Sequence, residues 1–158
     1  MAGNLFAKER AIVTLTSTGA STANSVANAA GTTLDGRAAG NGADDFFFNF
    51  ELTCQFATIT NIIAGTRIAD LFLVPAMDAT NYASTDEGTA SVLNIPAENY
   101  VGGFTSHKQL VATTDYRFYS GPILIQPLLY KAFIGNRSGQ TISANWTLKA
   151  IGVQGQYT

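Results

Sequence analysis

The sequence predicts an all-β protein: a single antiparallel β-sandwich or jelly roll with an extended N-terminal arm and long loops. Three observations carry that prediction. From Phe46 to Phe56 the chain alternates strictly, with Phe46, Phe48, Phe50, Leu52, Cys54 and Phe56 on one face and Phe47, Asn49, Glu51, Thr53 and Gln55 on the other. Period two over that length marks a strand with one buried face. Apolar runs of strand length recur along the chain, eight or nine of them, separated by polar, Gly- and Pro-containing stretches. No segment sustains a helical period: the alanines of Val26 to Ala39 are interrupted by Gly31 and Gly36. Short strands without crossover helices pair antiparallel.

The elements follow in order. Met1 to Arg10 reads as an arm, with Leu5 and Phe6 as its large apolar groups, and Ala11 to Thr16 as a first β-branched strand. Ser17 to Asp45 is built from Ala, Gly, Ser, Thr, Asn and Asp, with Val26 and Leu34 as its sizeable aliphatics. So little bulk cannot order a segment alone, which leaves either a flexible loop or an excursion that orders against a neighbouring subunit. The long strand over Phe46 to Phe56 has a firmly set register, because a slip of one residue would drive Glu51 and Gln55 into the core. Ile59 to Thr66 is a connection ending in a Gly turn. Ile68 to Val74 is a strand bounded by Pro75, and Pro75 to Asn99 is a second long polar stretch.

The remaining strands are shorter. Tyr100 to Phe104 reads as a strand bulged at Gly102 and Gly103. Gln109 to Thr113, Asp115 to Tyr119, Pro122 to Gln126 and Leu128 to Ile134 are further runs, and Gly135 to Gln140 is a turn by composition. Thr141 to Val153 alternates again, with Ile142, Ala144, Trp146, Leu148 and Ala150 on one face. This divides the chain into residues 1–45, an arm with a first strand and a small-residue segment, and residues 46–158, the sandwich body.

Composition narrows the function. Hydrophobic residues make up 46% of the chain and charged residues 13%, about half the usual share of charge. A net charge of -2 gives no broad electrostatic footprint for nucleic acid. No apolar run is long enough for a membrane-spanning helix, and Lys8, Glu9 and Arg10 argue against a secretory signal. A single cysteine excludes an internal disulfide framework. A surface of Thr, Asn, Ser, Gly and Ala is weakly repulsive, so many of its faces are open to contact.

Chemistry is sparse. His107, the single histidine, reads as a solvated loop residue, and no nucleophile elbow accompanies it. Cys54 falls on the apolar face of the Phe-rich strand, where a thiol is inert. Asp78, Asn81, Asp86, Glu87 and Glu98 have the oxygen chemistry of a calcium site, but Thr80, Tyr82 and Ser84 break the EF-hand spacing, which favours solvated loop charges. Gly40-Asn41-Gly42 is too short for a phosphate-binding fingerprint. Asn136-Arg137-Ser138 and Asn145-Trp146-Thr147 match glycosylation acceptors, a pattern common by chance. The expectation is no catalytic residue, no cofactor and no metal. The residues expected to touch partners are Leu5, Phe6, Val26, Leu34 and Phe47. For Phe47, which stands on the polar face of its strand, packing on a loop is the alternative.

The order of segments carries a resemblance. Phe48 to Leu52 reads F-x-F-x-L. Leu71-Phe72-Leu73-Val74-Pro75-Ala76 follows, then Asp78-Ala79-Thr80-Asn81-Tyr82, then Tyr100-Val101-Gly102-Gly103-Phe104. A proline-flanked strand from Pro122 to Pro127, the segment Tyr130 to Gly139 and a Trp-containing strand complete the series. From Phe46 to Thr158 the chain resembles the jelly-roll cement or decoration proteins of tailed-bacteriophage capsids. The resemblance implies a structural protein of the virion, made in the host bacterial cytoplasm and placed on the capsid exterior. It implies the major capsid protein and copies of itself, as a dimer or trimer, for partners, and neither nucleic acid nor membrane. The arm and the small-residue segment would then order on the shell. A tail or head-tail joining protein and a carbohydrate-binding sandwich, with Tyr82, Tyr100 and Tyr119 as its aromatics, are the alternatives.

Overall fold

A computed structural model describes residues 5–17, 19–22, 25–31, 34–36, 45–60, 62–76, 78 and 97–157. These residues form two antiparallel sheets stacked into a sandwich, the predicted all-β class. The strands are β1 (Leu5–Glu9), β2 (Val13–Thr16), β3 (Val26–Asn28), β4 (Ala30–Gly31), β5 (Leu34–Asp35), β6 (Asp45–Gln55), β7 (Arg67–Ala76), β8 (Tyr100–Thr105), β9 (Asp115–Leu124), β10 (Leu129–Asn136) and β11 (Thr147–Tyr157). The described helical structure is one 3-10 turn, Ala97–Asn99.

The first sheet runs β4-β2-β11-β6-β9, with β1 also on β11; the second runs β3-β10-β7-β8, with β5 also on β10. The two sheets share a design. One edge of β11 pairs with β2 and then β1, and one edge of β10 pairs with β3 and then β5. Strands β1 to β5 therefore lie along edges of both sheets.

This corrects two expectations. Leu5 to Glu9 is not a free arm but a strand in register with β11, Leu5 opposite Tyr157 and Glu9 opposite Val153. The small-residue segment is not structureless where it is described. Its short strands take hydrogen bonds from edges of β10 and β2, so a bulky face of its own is not required. β1 to β5, all before residue 45, are built into the two sheets together with the strands that follow.

The core lies between the sheets. Phe48, Phe50, Leu52, Cys54 and Phe56 of the alternating strand are all buried, as are Leu71, Leu73, Ile134, Trp146 and Leu148. Full burial of each large apolar side chain contributes roughly 1.5–3 kcal/mol. Phe48 of the first sheet meets Tyr130 of the second edge-on, ring centroids 6.2 Å apart. The Tyr130 hydroxyl donates to the Gln126 carbonyl at 2.9 Å and accepts from the Gln126 amide at 3.0 Å, so burying that ring leaves no orphaned polar atom.

The sequence expectations fail at irregular points. Asp115 to Tyr119 and Pro122 to Leu124 belong to one strand, β9, whose ladder register on β6 skips Ser120 and Gly121, with the Ser120 hydroxyl accepting the Phe50 amide instead. Gly121 takes φ +74° there, a conformation that glycine reaches without steric cost. The bulges of the β7–β8 pair lie at Ile68 and Val101, not at the two glycines. Gly103 instead makes room for its neighbours, since a Cβ would stand 2.8 Å from the Ala69 carbonyl and 2.6 Å from Nη2 of Arg67. Gly135 and Asn136 extend β10, so the expected turn begins at Arg137. Ala144 is exposed beside Asn145, which turns the chain at φ +67° before β11.

Asn136 ties the strand end to the loop before β3. It is buried, and its Nδ2 donates to the carbonyls of Ser21 at 2.9 Å, Thr22 at 3.1 Å and Gln140 at 2.7 Å. Its Oδ1 accepts from the amide and hydroxyl of Ser138. The amide that a glycosylating enzyme would need is therefore spent inside the fold.

Candidate functional site

The outward faces of the two sheets carry the features that could meet another molecule. On the first sheet, register aligns cross-strand rows. Leu124, Phe47, Val153 and Glu9 form one row across β9, β6, β11 and β1. Leu124 is 74% exposed and Phe47 38%. Apolar groups placed side by side in water form a patch, unlike scattered single exposures. Ile12, also exposed, lies near the same face.

Beyond the Pro122–Asn49–Ile151 row on the same face lies a polar one. Tyr119, Glu51 and Lys149 face each other across β9, β6 and β11. The Tyr119 hydroxyl donates to Oε2 of Glu51 at 2.6 Å, and Nζ of Lys149 lies 3.5 Å from Oε1. The Tyr119 hydrogen bond is the main influence holding the Glu51 carboxyl below the usual glutamate range. Partial burial opposes it, and Lys149 and Arg117 add to it. The same bond raises the Tyr119 phenol, since an ionised phenol would face a carboxylate. Together with Ile12, Asn49 and Arg117 these residues line an open groove of about 400 Å³.

The second sheet presents a different surface. Val26, Phe72, Val74 and Phe133 form a small apolar cluster, separate from the main core. Tyr100 stands edge-on to Phe72 at 5.9 Å. Beside them Asp70, a buried carboxylate, receives Nε of Arg67 at 2.5 Å and Nε of Arg137 at 2.6 Å. Arg67 also donates to the Tyr100 hydroxyl and lies over that ring, 5.2 Å from its centre.

The residues singled out from sequence separate accordingly. Val26 and Leu34 are buried, 7% and 1% exposed. They serve this chain's own core rather than a neighbour, because β3 and β5 bring them onto β10. Leu5 and Phe6 lie in β1 and not in a reaching arm. Phe47 is at the surface, beside Leu124. Sequence reasoning misses Leu124, because Pro122 to Gln126 reads as a separate apolar strand. It also misses the Arg67–Asp70–Arg137 cluster, because Arg137 is distant in sequence from the other two and meets them only through the β7–β10 pairing.

His107 sits exposed in the loop after β8, and the neighbouring Ser106 hydroxyl is bonded to the Lys108 carbonyl at 2.5 Å. Cys54 is buried, and that burial, with Asp115 nearby, pushes its thiol up to about 12. Of the residues weighed for calcium, Asn81, Asp86 and Glu87 lie outside the described residues, as does Tyr82. Glu98 is exposed on the 3-10 turn. Among the described residues no helix is long and apolar enough to cross a membrane.

No protein-family model matches the sequence, and no curated protein is similar to it. Two solved structures show partial likeness. A chain in the structure of the infectious bursal disease virus Gx strain aligns with a TM-score of 0.34 and 12% identity over 96% of this chain. This chain spans 37% of that viral chain's length. VP1 of the Trichodysplasia spinulosa-associated polyomavirus aligns with a TM-score of 0.15 and 11% identity, over 98% of this chain and 78% of the other. At this level of similarity the strand order, and not either virus, defines the fold.

Proposed function

We propose that this chain is a non-enzymatic structural protein of a virus particle, placed on the outer capsid surface as a cement or decoration protein of a tailed bacteriophage. The observation that carries the reading is the exposed Leu124–Phe47 pair, flanked by the half-buried Val153, on the outer face of the first sheet. A rigid sheet with an apolar row and few charges is suited to lie flat against another protein surface. Its partners are the major capsid protein and copies of itself. Many modest contacts repeated over a lattice give avidity without one strong interface. The segment order from Phe48 to the Trp146 strand supports the same assignment.

The test is a copy count in purified particles by quantitative mass spectrometry. A cement protein is present in hundreds of copies. A dozen or fewer would place the chain in the tail or the head-tail joint, and none would remove it from the virion.

The groove beside Tyr119 favours one second reading. An exposed aromatic ring next to Asn49, Glu51 and Arg117 is the kind of surface that binds a sugar. A glycan array on the purified chain decides this: saturable binding that Tyr119→Ala abolishes would establish it.

A further inference from the structure

We propose that Arg67 and Arg137 form a docking point for a carboxylate carried by an acidic segment of a partner protein. The proposal goes beyond the virion reading and does not depend on it.

Asp70 is one carboxylate between two guanidinium groups, so the cluster keeps one positive charge uncompensated. Asp70 is buried, and each of its oxygens is taken by one arginine Nε. Arg67 and Arg137 keep exposed side chains, 46% and 38%. Among the described residues, the Nη atoms of Arg137 have no partner, and those of Arg67 reach only Tyr100. Among the described residues, Arg67, Asp70, Tyr100 and Arg137 line an open depression of about 420 Å³.

The arginines are held before any ligand arrives. Arg137 is anchored by its backbone amide, which donates to the Ile68 carbonyl at 2.9 Å. Arg67 is fixed between Asp70 and the Tyr100 ring, in space that the missing side chain of Gly103 leaves open. Fixing a long side chain in advance removes much of the entropy cost of binding. Two residues along β7 from Asp70, Phe72 pairs with Phe133 and both are buried, and low-dielectric surroundings strengthen ionic contacts at their edge.

A guanidinium presents a planar fork that matches a carboxylate in two parallel hydrogen bonds. A polyanion is the poorer fit. One uncompensated charge on a chain of net charge -2 offers no track along a phosphate backbone.

The test uses the full chain, labelled for NMR and titrated with hexaglutamate peptide. The Nε–H signals of Arg67 and Arg137 should move saturably, and added salt should weaken the effect. Arg137→Gln, which keeps the Arg67–Asp70 pair, should weaken binding about tenfold or more, and Arg137→Lys should fail to restore it. The wild-type titration stands even if a variant does not fold. Arginine signals that stay still at millimolar peptide would overturn the proposal, as would unchanged affinity in Arg137→Gln. Tighter binding of inorganic phosphate, or of a single-stranded oligonucleotide, would overturn it in favour of a phosphate site. A failed titration leaves the particle copy count untouched, so the two readings fall separately.

Discussion

Phe47 stands directly opposite Leu124 on the outer face of the first sheet, and both side chains remain in contact with water. An opposed pair of this kind stabilises the sheet only modestly while exposed. Its larger effect comes when another surface covers it, since full burial of each side chain is worth roughly 1.5–3 kcal/mol. Phe47→Lys and Leu124→Lys should therefore leave the free chain within about 0.5 kcal/mol of its stability. The same changes should weaken association with capsid by about tenfold or more per site, read by co-sedimentation with particles stripped of the protein. Unchanged co-sedimentation of the double variant would move the contact off this face.

The pairing of β1 with β11 gives a second expectation. If Leu5 to Glu9 were a capsid-bound arm, its amides would exchange freely in the isolated chain. In the ladder with Val153 to Tyr157, alternate amides of that segment should exchange slowly without any capsid present. Deleting residues 1–10 should bare that part of the β11 edge, and a bare edge recruits other strands. Concentration-dependent association of the truncated chain, seen by analytical ultracentrifugation, is the expected result.

Much of the fold is legible in the sequence because the central strands carry local signals. The alternation from Phe47 onward reads out β6 almost residue by residue, and Leu148 and Ala150 mark the inner face of β11 in the same way. Legibility fails where structure depends on a distant partner. Val26 and Leu34 look isolated in a stretch of small residues, yet β10 supplies the edge that orders them. Pro122 looks like a boundary, yet it continues β9 past a slip in the ladder. The surfaces are least legible of all. Exposure of Leu124 follows from its register with Phe47, and the Asp70 cluster exists only because Arg137, 67 positions away, follows a strand that pairs with β7.

The Tyr119–Glu51 bond predicts a pH dependence with a definite sign. The Glu51 carboxyl is lowered in the fold, chiefly by the Tyr119 hydroxyl. In acid the unfolded chain then takes up this proton first, so its contribution is complete above the unfolded value and lost as pH falls through the folded one. Unfolding by urea between about pH 6 and pH 3 should show wild-type stability falling more steeply than that of Glu51→Gln. The variant should also bring the Tyr119 phenol down toward its ordinary value, visible as phenolate absorbance at lower pH. Superimposable pH profiles would mean that the bond does not form in solution.

The Asn136 knot predicts a large loss of stability from one polar side chain. Asn136→Ala removes the donor shared by the Ser21, Thr22 and Gln140 carbonyls and the acceptor used by Ser138. Leaving buried polar groups without partners costs about 1–3 kcal/mol each, so a loss of about 3 kcal/mol is expected in equilibrium unfolding. Asn136→Asp distinguishes hydrogen bonding from volume, because it keeps the shape and changes one donor into an acceptor. At neutral pH its carboxylate would face three carbonyl oxygens, and repulsion there raises its folded pKa above the unfolded value. Protonation restores one donor, so this variant should gain stability relative to wild type as pH falls through that raised value. A volume effect alone would leave Asn136→Asp near wild type at every pH.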